Sequence, residues 1–252
     1  MHTPYEYPEN FARFYDVIYH RLRSAVDLKF FMREIGNTKG KVLEIGAGTG
    51  RLFVEALRSG ADVYALDASD SMLKVLKSKL DEKQRFRVSK QDFTGFRYDF
   101  KFDLALAPFR VIQHLTGKED QLMAINKVYD HLNPGGRFIF DTFIPDLQML
   151  TGGIHEQVDF DGEYEPGKKL KRSVTSIPDL LTQTLQIRFH LEWDEAGERK
   201  QEDWNLQLRY FFRYELEHLV ERSKFKEYKI LGDYEGNELN ENSRDLIMVC
   251  RK

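Results

Sequence analysis

Three glycines at alternate positions are the part of this sequence that points most directly to chemistry. Gly46, Gly48 and Gly50 follow the apolar run VLEI and precede the helical pattern RLFVEALRSG. A strand-to-helix turn offers free backbone N–H groups and the positive end of a helix dipole. Asp67 ends the next predicted strand, where nucleotide-binding sheets place a carboxylate on the ribose hydroxyls. NAD and S-adenosylmethionine both fit this pattern, and a tight turn without any ligand is the simpler alternative.

The glycine spacing distinguishes the two cofactors. A dinucleotide fingerprint, G-x-G-x-x-G, needs its third glycine at position 51, but this chain has Arg51 there and Gly50 one step earlier. Glu44 stands two residues before the first glycine. A carboxylate disfavours a ligand with phosphates and favours one with positive sulfonium and ammonium groups. S-adenosylmethionine is therefore the preferred cofactor, and an NAD-dependent oxidoreductase is the weaker alternative.

Short apolar strands alternate with helical patterns over residues 42–143, which predicts a parallel sheet with helices on both faces. Ser69 is the predicted cap of one of these helices. Near the C-terminus two strands follow one another without a helix, so we expect an antiparallel edge to the sheet. The fold class is α/β. The strands are predicted in KVLEIGA, DVYALD, RFRVSKQD, FDLALAPF, RFIFDTF, KEYKILGDY and RDLIMVCRK.

Residues 146–213 have another pattern, which predicts an inserted antiparallel β cap. Apolar and polar residues alternate in LLTQTLQIRFHLEW and WNLQLRYFF, which the polar segment DEAGERKQ joins into a long hairpin. GKKLKRSVTSI predicts a third, less regular strand. A local basic patch is one interpretation of its Lys168, Lys169, Lys171 and Arg172, and a solvated strand edge explains them at least as well. The apolar face of the hairpin must be buried, over the site or in a homodimer. The remaining divisions are an N-terminal helical lid at 1–39 and a core at 40–145 and 214–252.

Charge and cysteine content exclude several classes of function. The 38 basic and 41 acidic residues give a net charge of −3, which is no electrostatic signature for nucleic acid or an anionic membrane. The single cysteine, Cys250, excludes an internal disulfide and is expected to be a buried, inert thiol. No cluster of His, Asp and Glu has metal-ligand spacing, so no metal is expected. No signal-peptide or membrane-spanning pattern is present, so the expected location is the cytoplasm.

The ordered set of motifs resembles the class I S-adenosylmethionine-dependent methyltransferases of the small-molecule type, such as amino-sugar and glycine N-methyltransferases. VLEIGAGTG, Asp67, the run Gln91-Asp92-Phe93, FDLALAPFRVIQHL and NPGGRFIFDTF carry the resemblance, over residues 40–145 and about 214–252. It implies a Rossmann-like, doubly wound sheet of seven mostly parallel strands with an antiparallel last strand. The cofactor-binding residues that it implies are Glu44, Gly46, Ala47, Gly48, Gly50, Asp67, Ala68, Met72, Gln91, Asp92, Phe93, Pro108 and Phe109.

Roles within that set also come from the resemblance. Asp67 is expected to bind the ribose diol, Asp92 the amino group of adenine, and Pro108 and Phe109 to border the methyl group. Met72 could equally be ordinary helix core.

Candidate catalytic and acceptor-binding residues lie outside the glycine turn. His114 is a candidate general base because imidazole titrates near neutral pH, and amino-sugar N-methyltransferases have a similar segment; a solvent-facing histidine is the alternative. FYDVIY resembles the lid helix of these enzymes, so Tyr15 is assigned to catalysis and Tyr19 to the substrate, although both could form an apolar seam. Asp141 ends the fifth strand at the ligand-binding edge, and Arg209 could hold an acidic acceptor or be a surface charge.

The predicted function is the transfer of a methyl group to a nitrogen or oxygen of a small-molecule acceptor. Such an acceptor fits an enclosed pocket under the predicted cap better than a polymer would. A cofactor-binding regulatory protein without turnover is the alternative from another class, because fold resemblance alone does not name an acceptor.

Overall fold

Two β-sheets organise the part of the chain that the computed structural model describes, residues 5–22 and 25–252. The helices are α1 (Glu9–Leu22), α2 (Val26–Gly36), α3 (Arg51–Arg58), α4 (Asp70–Ser78), α5 (Lys118–His131), α6 (Leu147–Gly152) and α7 (Arg213–Glu221). The strands are β1 (Val42–Ile45), β2 (Val63–Asp67), β3 (Val88–Lys90), β4 (Phe102–Ala107), β5 (Leu132–Phe143), β6 (Ile154–Glu165), β7 (Lys168–Asp179), β8 (Thr184–Glu195), β9 (Glu198–Arg209), β10 (Glu227–Leu231) and β11 (Asp245–Arg251).

Among the described strands, seven form the larger sheet in the order β10-β11-β5-β4-β1-β2-β3. All neighbours from β5 to β3 are parallel, whereas β11 runs antiparallel to both β5 and β10. This confirms the predicted Rossmann-like sheet with a reversed last strand. Because β1 lies between β4 and β2, the turns that follow these three strands meet at one edge of the sheet.

The third strand is shorter than the sequence pattern predicts. Residues Glu82–Arg87 form a 3-10 helix, and only Val88–Lys90 pair with β2. Arg87 turns back to Asp62 and donates to its carboxylate at 2.5 Å. The apolar positions of RFRVSKQD are too few to hold a longer edge strand against solvent.

Apolar clusters cover both faces of the larger sheet. One face packs on α5 and α7 through residues such as Ile125, Leu216 and Phe138. The other packs on α2, α3 and α4 through residues such as Phe31 and Phe53. Every residue of β4 except one is buried, as expected of a strand covered on both sides. Ser69 caps α4 by accepting from the N–H of Met72 at 3.2 Å, as predicted.

The inserted sheet has the order β6-β7-β8-β9 and is antiparallel throughout. The β8–β9 hairpin closes through Ala196 and Gly197, both with positive φ, so the strands occupy most of the segment predicted as a polar link. β7 pairs with β8 without a register shift and is more regular than expected. β6 was not predicted, and β9 ends at Arg209, before the last apolar residues of the predicted strand.

Helix α1 lies against the inner face of the inserted sheet. Its Phe11, Phe14 and Ile18 pack with Leu191 and Trp193, so the alternating apolar residues are covered within the same chain. Arg172 also belongs to this inner face, with only 4% of its surface exposed. The expectation of a solvated strand edge was therefore wrong for Arg172, because alternation along β7 turns every second residue inward.

Two further sequence-based expectations concern burial and the membrane. Cys250 is fully buried in β11, and burial raises the pKa of its thiol. Within the described residues, no helix combines the length and the apolarity that a membrane span requires.

A matched pair of glycine variants would test the packing of the turn after β1. Gly50 and Gly60 both have positive φ, but a Cβ at Gly50 would collide with Leu76 of α4, whereas a Cβ at Gly60 would meet nothing within 4 Å. We expect Gly50→Ala to lower the free energy of unfolding by about 1–3 kcal/mol more than Gly60→Ala, since overpacking adds to the same backbone strain. Urea denaturation measures both. Equal losses would show that Leu76 moves aside at little cost.

Candidate active site

The glycine turn after β1 has a backbone that other residues rarely adopt. Gly46, Gly48 and Gly50 have φ of +70°, +55° and +88°. A Cβ at Gly46 would clash with Val111, and one at Gly50 with α4, but a Cβ at Gly48 would enter open space. Gly48 is therefore the glycine that a ligand can approach. Gly50 lines neither of the two cavities beside this turn, and a Cβ there would meet Leu76, so Gly50 serves the packing of α3 on α4. Its assignment to cofactor binding stays a prediction.

A cavity of about 110 Å³, called here the cofactor cavity, lies over the carboxyl ends of β1 and β2. Most of the residues that the sequence predicted as cofactor-binding line it. They are Gly46, Gly48, Asp67, Ala68, Met72, Gln91, Asp92, Phe93 and Phe109, together with the candidate catalytic residues Tyr15 and His114. Tyr5 and Tyr7, which the sequence did not single out, close it from the N-terminal side.

Asp67 ends β2 with its carboxylate held by backbone groups. Its Oδ2 accepts from the N–H of Gly48 at 2.7 Å, and its Oδ1 accepts from the N–H of Ser69 at 2.8 Å. Burial raises the pKa of Asp67, and these hydrogen bonds act in the opposite direction. Each carboxylate oxygen has a second lone pair, so Asp67 can still accept from a diol in the cavity.

A smaller side pocket on the other side of the glycine turn contains Glu44, Ala47 and Pro108. Glu44 is 3% exposed, and its Oε2 has no hydrogen-bond partner. Burial and the charge of Asp67 raise the pKa of Glu44 to about 8, while Arg51 opposes the shift. A buried carboxyl of this kind would be stabilised by a cationic group entering the pocket.

Arg51, which replaces the third glycine of a dinucleotide fingerprint, forms a two-pronged ion pair with Asp27 of α2. The two hydrogen bonds measure 2.7 and 2.6 Å. The Arg51 guanidinium also lies 5.2 Å from the centre of the Phe109 ring. Arg51 therefore ties α2 to the start of α3 and to the turn after β4.

A third and larger cavity of about 360 Å³, the acceptor cavity, lies between α1, the turn after β4 and the inner face of the inserted sheet. Tyr19, for which a substrate contact is predicted, is one of its lining residues. Four residues line both this cavity and the cofactor cavity: Tyr7, Tyr15, Phe109 and His114. We call these four residues the junction, because groups bound in the two cavities would meet there.

His114 ends a 3-10 turn, Val111–His114, that follows β4. The preceding residue, Gln113, anchors this turn, donating to the carbonyl of Arg209 at 2.7 Å and accepting from the N–H of Phe143 at 3.3 Å. The imidazole faces both cavities rather than bulk solvent, so the solvent-facing alternative is wrong. Burial lowers the pKa of His114 to about 4, which keeps the ring neutral at neutral pH.

The backbone at Phe109 and Arg110 is strained. These two consecutive residues have φ of +72° and +67°, a conformation that is unfavourable for residues other than glycine and often found at functional sites. The N–H of Arg110 donates to Asp141 Oδ1 at 3.3 Å, and Tyr234 donates to Asp141 Oδ2 at 2.6 Å. Asp141 does not line the cavities of this site and supports the turn through these two contacts. Its assignment to the substrate stays a prediction.

Arg209 does not line these cavities either, and its assignment as a substrate contact stays a prediction. Leu206 and Leu208 of β9 face the acceptor cavity, and alternation along the strand directs Arg209 elsewhere. Its guanidinium donates to the carbonyls of Thr116 and Thr182 at 3.4 and 3.3 Å.

Sequence reasoning missed the polar residues of the acceptor cavity. Asp159 lies on the unpredicted strand β6, and Arg172 and Ser176 lie on β7. The signal for the last two was alternation, since Leu170, Arg172, Val174 and Ser176 occupy every second position. Trp204 was recognised as apolar, but its contact with Tyr7, at 4.1 Å between ring centres, depends on the tertiary structure.

Comparisons with known proteins find methyltransferases among the relatives of this chain. A family model described as a methyltransferase domain matches residues 42–136. An uncharacterized methyltransferase of Bacillus cereus is 32% identical over 188 residues, which cover 74% of this chain and 80% of that protein. A relative from Bacillus anthracis is 32% identical over 142 residues, and the match spans 59% of its length.

Solved structures share the fold. An S-adenosylmethionine-dependent methyltransferase from Clostridium acetobutylicum superimposes with a TM-score of 0.73 at 19% identity, over 96% of this chain and 97% of that one. The sugar N-methyltransferase KedS8 from Streptoalloteichus gives 0.75 at 18% identity, over 94% and 93%. The ordered motifs, the sheet topology and the Bacillus relatives lead to one conclusion: the chain belongs to the class I, S-adenosylmethionine-dependent methyltransferase family.

Proposed function

We propose that the protein transfers a methyl group from S-adenosylmethionine to a nitrogen or oxygen atom of a small molecule bound in the acceptor cavity. One observation carries the proposal, namely that the cofactor and acceptor cavities share the four junction residues. A donor and an acceptor held in these two cavities would be brought together at the junction, and such positioning accounts for much of the catalysis in a displacement reaction.

The residues around the glycine turn fit this cofactor. The open space at Gly48 admits a ligand close to the backbone, and Asp67 has lone pairs for a ribose diol. The unpartnered Oε2 of Glu44 suits the positively charged end of the molecule. When bound, S-adenosylmethionine supplies a methyl group on a positively charged sulfur, which makes that carbon electrophilic.

His114 would receive the proton that the acceptor loses. An N–H or O–H acceptor that forms a bond to a methyl group must give up its proton, and a neutral imidazole nitrogen can take it. Because burial lowers the pKa of His114 to about 4, the neutral form is the one present at physiological pH. Tyr15, which borders all three cavities, would orient the reacting groups.

The N-terminal segment would exclude water from the junction. The Glu6 carboxylate accepts from the N–H groups of Asp70 and Ser71 at the start of α4, both at 3.0 Å. The N–H of Tyr7 donates to Ser69 at 3.2 Å. These contacts hold the segment across the cofactor cavity, and α1 and the inserted sheet enclose the acceptor cavity. Such an enclosure favours a small acceptor over a polymer. KedS8, which shares the fold, is named as a sugar N-methyltransferase.

Binding of S-adenosylmethionine should release protons near neutral pH. In the cofactor-free protein the pKa of Glu44 is raised to about 8, so most molecules carry a proton there at pH 7. A cation beside the carboxyl favours the ionised form, so affinity should rise with pH up to about 8 and then level off. Calorimetry in two buffers of different ionisation enthalpy measures the proton release.

Glu44→Gln should abolish this proton release and weaken binding. Glu55→Gln is the matched control, since the half-exposed Glu55 side chain of α3 forms an ion pair with Arg58 and lines neither the cofactor cavity nor the side pocket. Wild-type binding without proton release at pH 7 would contradict the assignment of Glu44 to the cation.

The ring signals of His114 should not titrate between pH 8 and pH 5. Burial lowers the pKa of His114 to about 4, so its proton uptake lies below that range, whereas an exposed imidazole titrates near 6.5. The unfolded chain takes up the proton first, so the contribution of His114 to stability declines as pH falls from about 6.5 towards 4. NMR of the seven histidines, with His114 assigned by its loss in His114→Gln, checks this. A midpoint near 6.5 for His114 would be inconsistent with a buried neutral base.

The proposed function itself is tested by incubating the protein and labelled S-adenosylmethionine with a panel of small amines and alcohols, and detecting methylated products by mass spectrometry. With an acceptor in hand, His114→Ala should lower kcat by about 10²–10⁴ while cofactor binding is retained. His218→Ala is the matched control, because His218 is exposed on α7. Tight cofactor binding with no methylated product across the panel would favour a non-catalytic binding protein instead.

A further inference from the structure

The two charged residues that the inserted sheet contributes to the wall of the acceptor cavity are paired with each other. Asp159 accepts from Nε and an Nη of Arg172 at 2.9 and 2.8 Å. The Arg172 guanidinium also lies 4.9 and 4.6 Å from the ring centres of Tyr19 and Phe189. Arg110, nearer the junction, lies 3.7 Å from Asp245. Asp159 and Arg172 therefore neutralise each other on the inserted sheet, whereas Arg110, at the junction end, has a buried Nε without a hydrogen-bond partner.

Ser176 differs from this pair, because its hydroxyl has no hydrogen-bond partner. The residue lines the acceptor cavity, is 3% exposed, and its Oγ contacts neither a donor nor an acceptor. Its neighbours in register on the adjoining strands are Ile154 and Ile187, both apolar. A buried hydroxyl left without a partner costs free energy, and a cavity that a ligand fills can remove that cost.

The position of Ser176 relative to the junction follows from the strand register. Phe189 pairs with Trp204, and Trp204 contacts the junction residue Tyr7. Val174 of β7 lies opposite Phe189. Ser176 lies two residues farther along β7, about 7 Å from Val174 at the usual strand rise. The rings of Phe189 and Trp204 are stacked with an interplanar angle of 22°. They form a flat apolar surface beside the junction, on the side from which the strands lead to Ser176.

We propose that Ser176 forms a hydrogen-bonding subsite for a neutral oxygen, a hydroxyl or a carbonyl, on the part of the acceptor that is not methylated. The inference rests on the proposed function, since it takes this cavity to be the acceptor's. An apolar ring or carbon skeleton would lie along Phe189 and Trp204 and carry that oxygen to Ser176. A carboxylate or an ammonium at Ser176 would lose its hydration without gaining a counter-charge, so the subsite discriminates against ionic groups.

Small probes of one size and different polarity test the subsite on the full-length protein saturated with S-adenosylhomocysteine. The chain has two tryptophans; Trp204 lines the cavity, whereas Trp193 is buried against α1. The indole N–H signal of Trp204 in NMR therefore reports occupancy, and that of Trp193 serves as the reference. We expect benzyl alcohol and benzamide to bind about fivefold more tightly than toluene, the size expected for one hydrogen bond. Benzoate and benzylammonium should bind no more tightly than toluene.

Ser176→Ala should remove the advantage of benzyl alcohol and benzamide and leave the affinity for toluene unchanged. Ser173→Ala is the matched control, because alternation places Ser173 on the opposite face of β7. If Ser176→Ala does not fold, Ser176→Cys, which hydrogen-bonds weakly, should lose most of the same advantage. An advantage that survives these variants, or a preference for benzoate, would overturn the subsite.

The same measurements separate the subsite from the proposed function. Loss of the subsite alone would leave cofactor binding and the appearance of methylated products intact. Failure of the proposed function would leave the probe preferences and their dependence on Ser176 intact while no methylated product forms.

Discussion

The contact between the turns after β1 and β4 is the constraint on which the site depends. A Cβ at Gly46 would lie 2.5 Å from Cγ2 of Val111, so only glycine allows the two turns to come this close. Val111 begins the 3-10 turn that ends at His114. Gly46, which shapes the glycine turn, therefore also affects the position of His114, the candidate base. Phe109 and His114, two of the four residues that the cavities share, belong to the second of these turns.

Supporting contacts from distant parts of the chain hold the second of these turns in a strained form. Phe109 and Arg110 both have positive φ, which neither side chain favours. Asp141 accepts from the backbone of Arg110 and from Tyr234, and Arg51 lies over the Phe109 ring. The strain is stable because the surrounding groups are themselves fixed by packing. Asp141 thus acts on the site through the backbone that it holds, although it reaches no ligand cavity.

The electrostatics of the two cavities differ in a way that matches their proposed contents. On the cofactor side Glu44 is buried, its Oε2 has no hydrogen-bond partner, and its pKa is raised to about 8. On the acceptor side Asp159 and Arg172 of the inserted sheet neutralise each other, and the Ser176 hydroxyl on the same sheet has no hydrogen-bond partner. These two environments would stabilise a charged methyl donor and an uncharged part of the acceptor. A buried charge needs a partner of opposite charge, whereas a buried hydroxyl needs only a hydrogen bond.

The sequence by itself determined the α/β class, the strands of the larger sheet along the chain and the glycine turn, because these depend on periodicity and turn chemistry between residues close in the chain. Most of the residues that line the cofactor cavity were implied by the family resemblance of the ordered motifs. The sequence did not reveal β6, whose register with β7 shifts three times and whose residues are mostly polar, so no alternation marks it. Only the tertiary structure decided that Asp141 and Arg209 serve partners within the protein, and that Arg172 is buried. A side chain's direction and its partner depend on residues brought near by folding, and no local pattern records them.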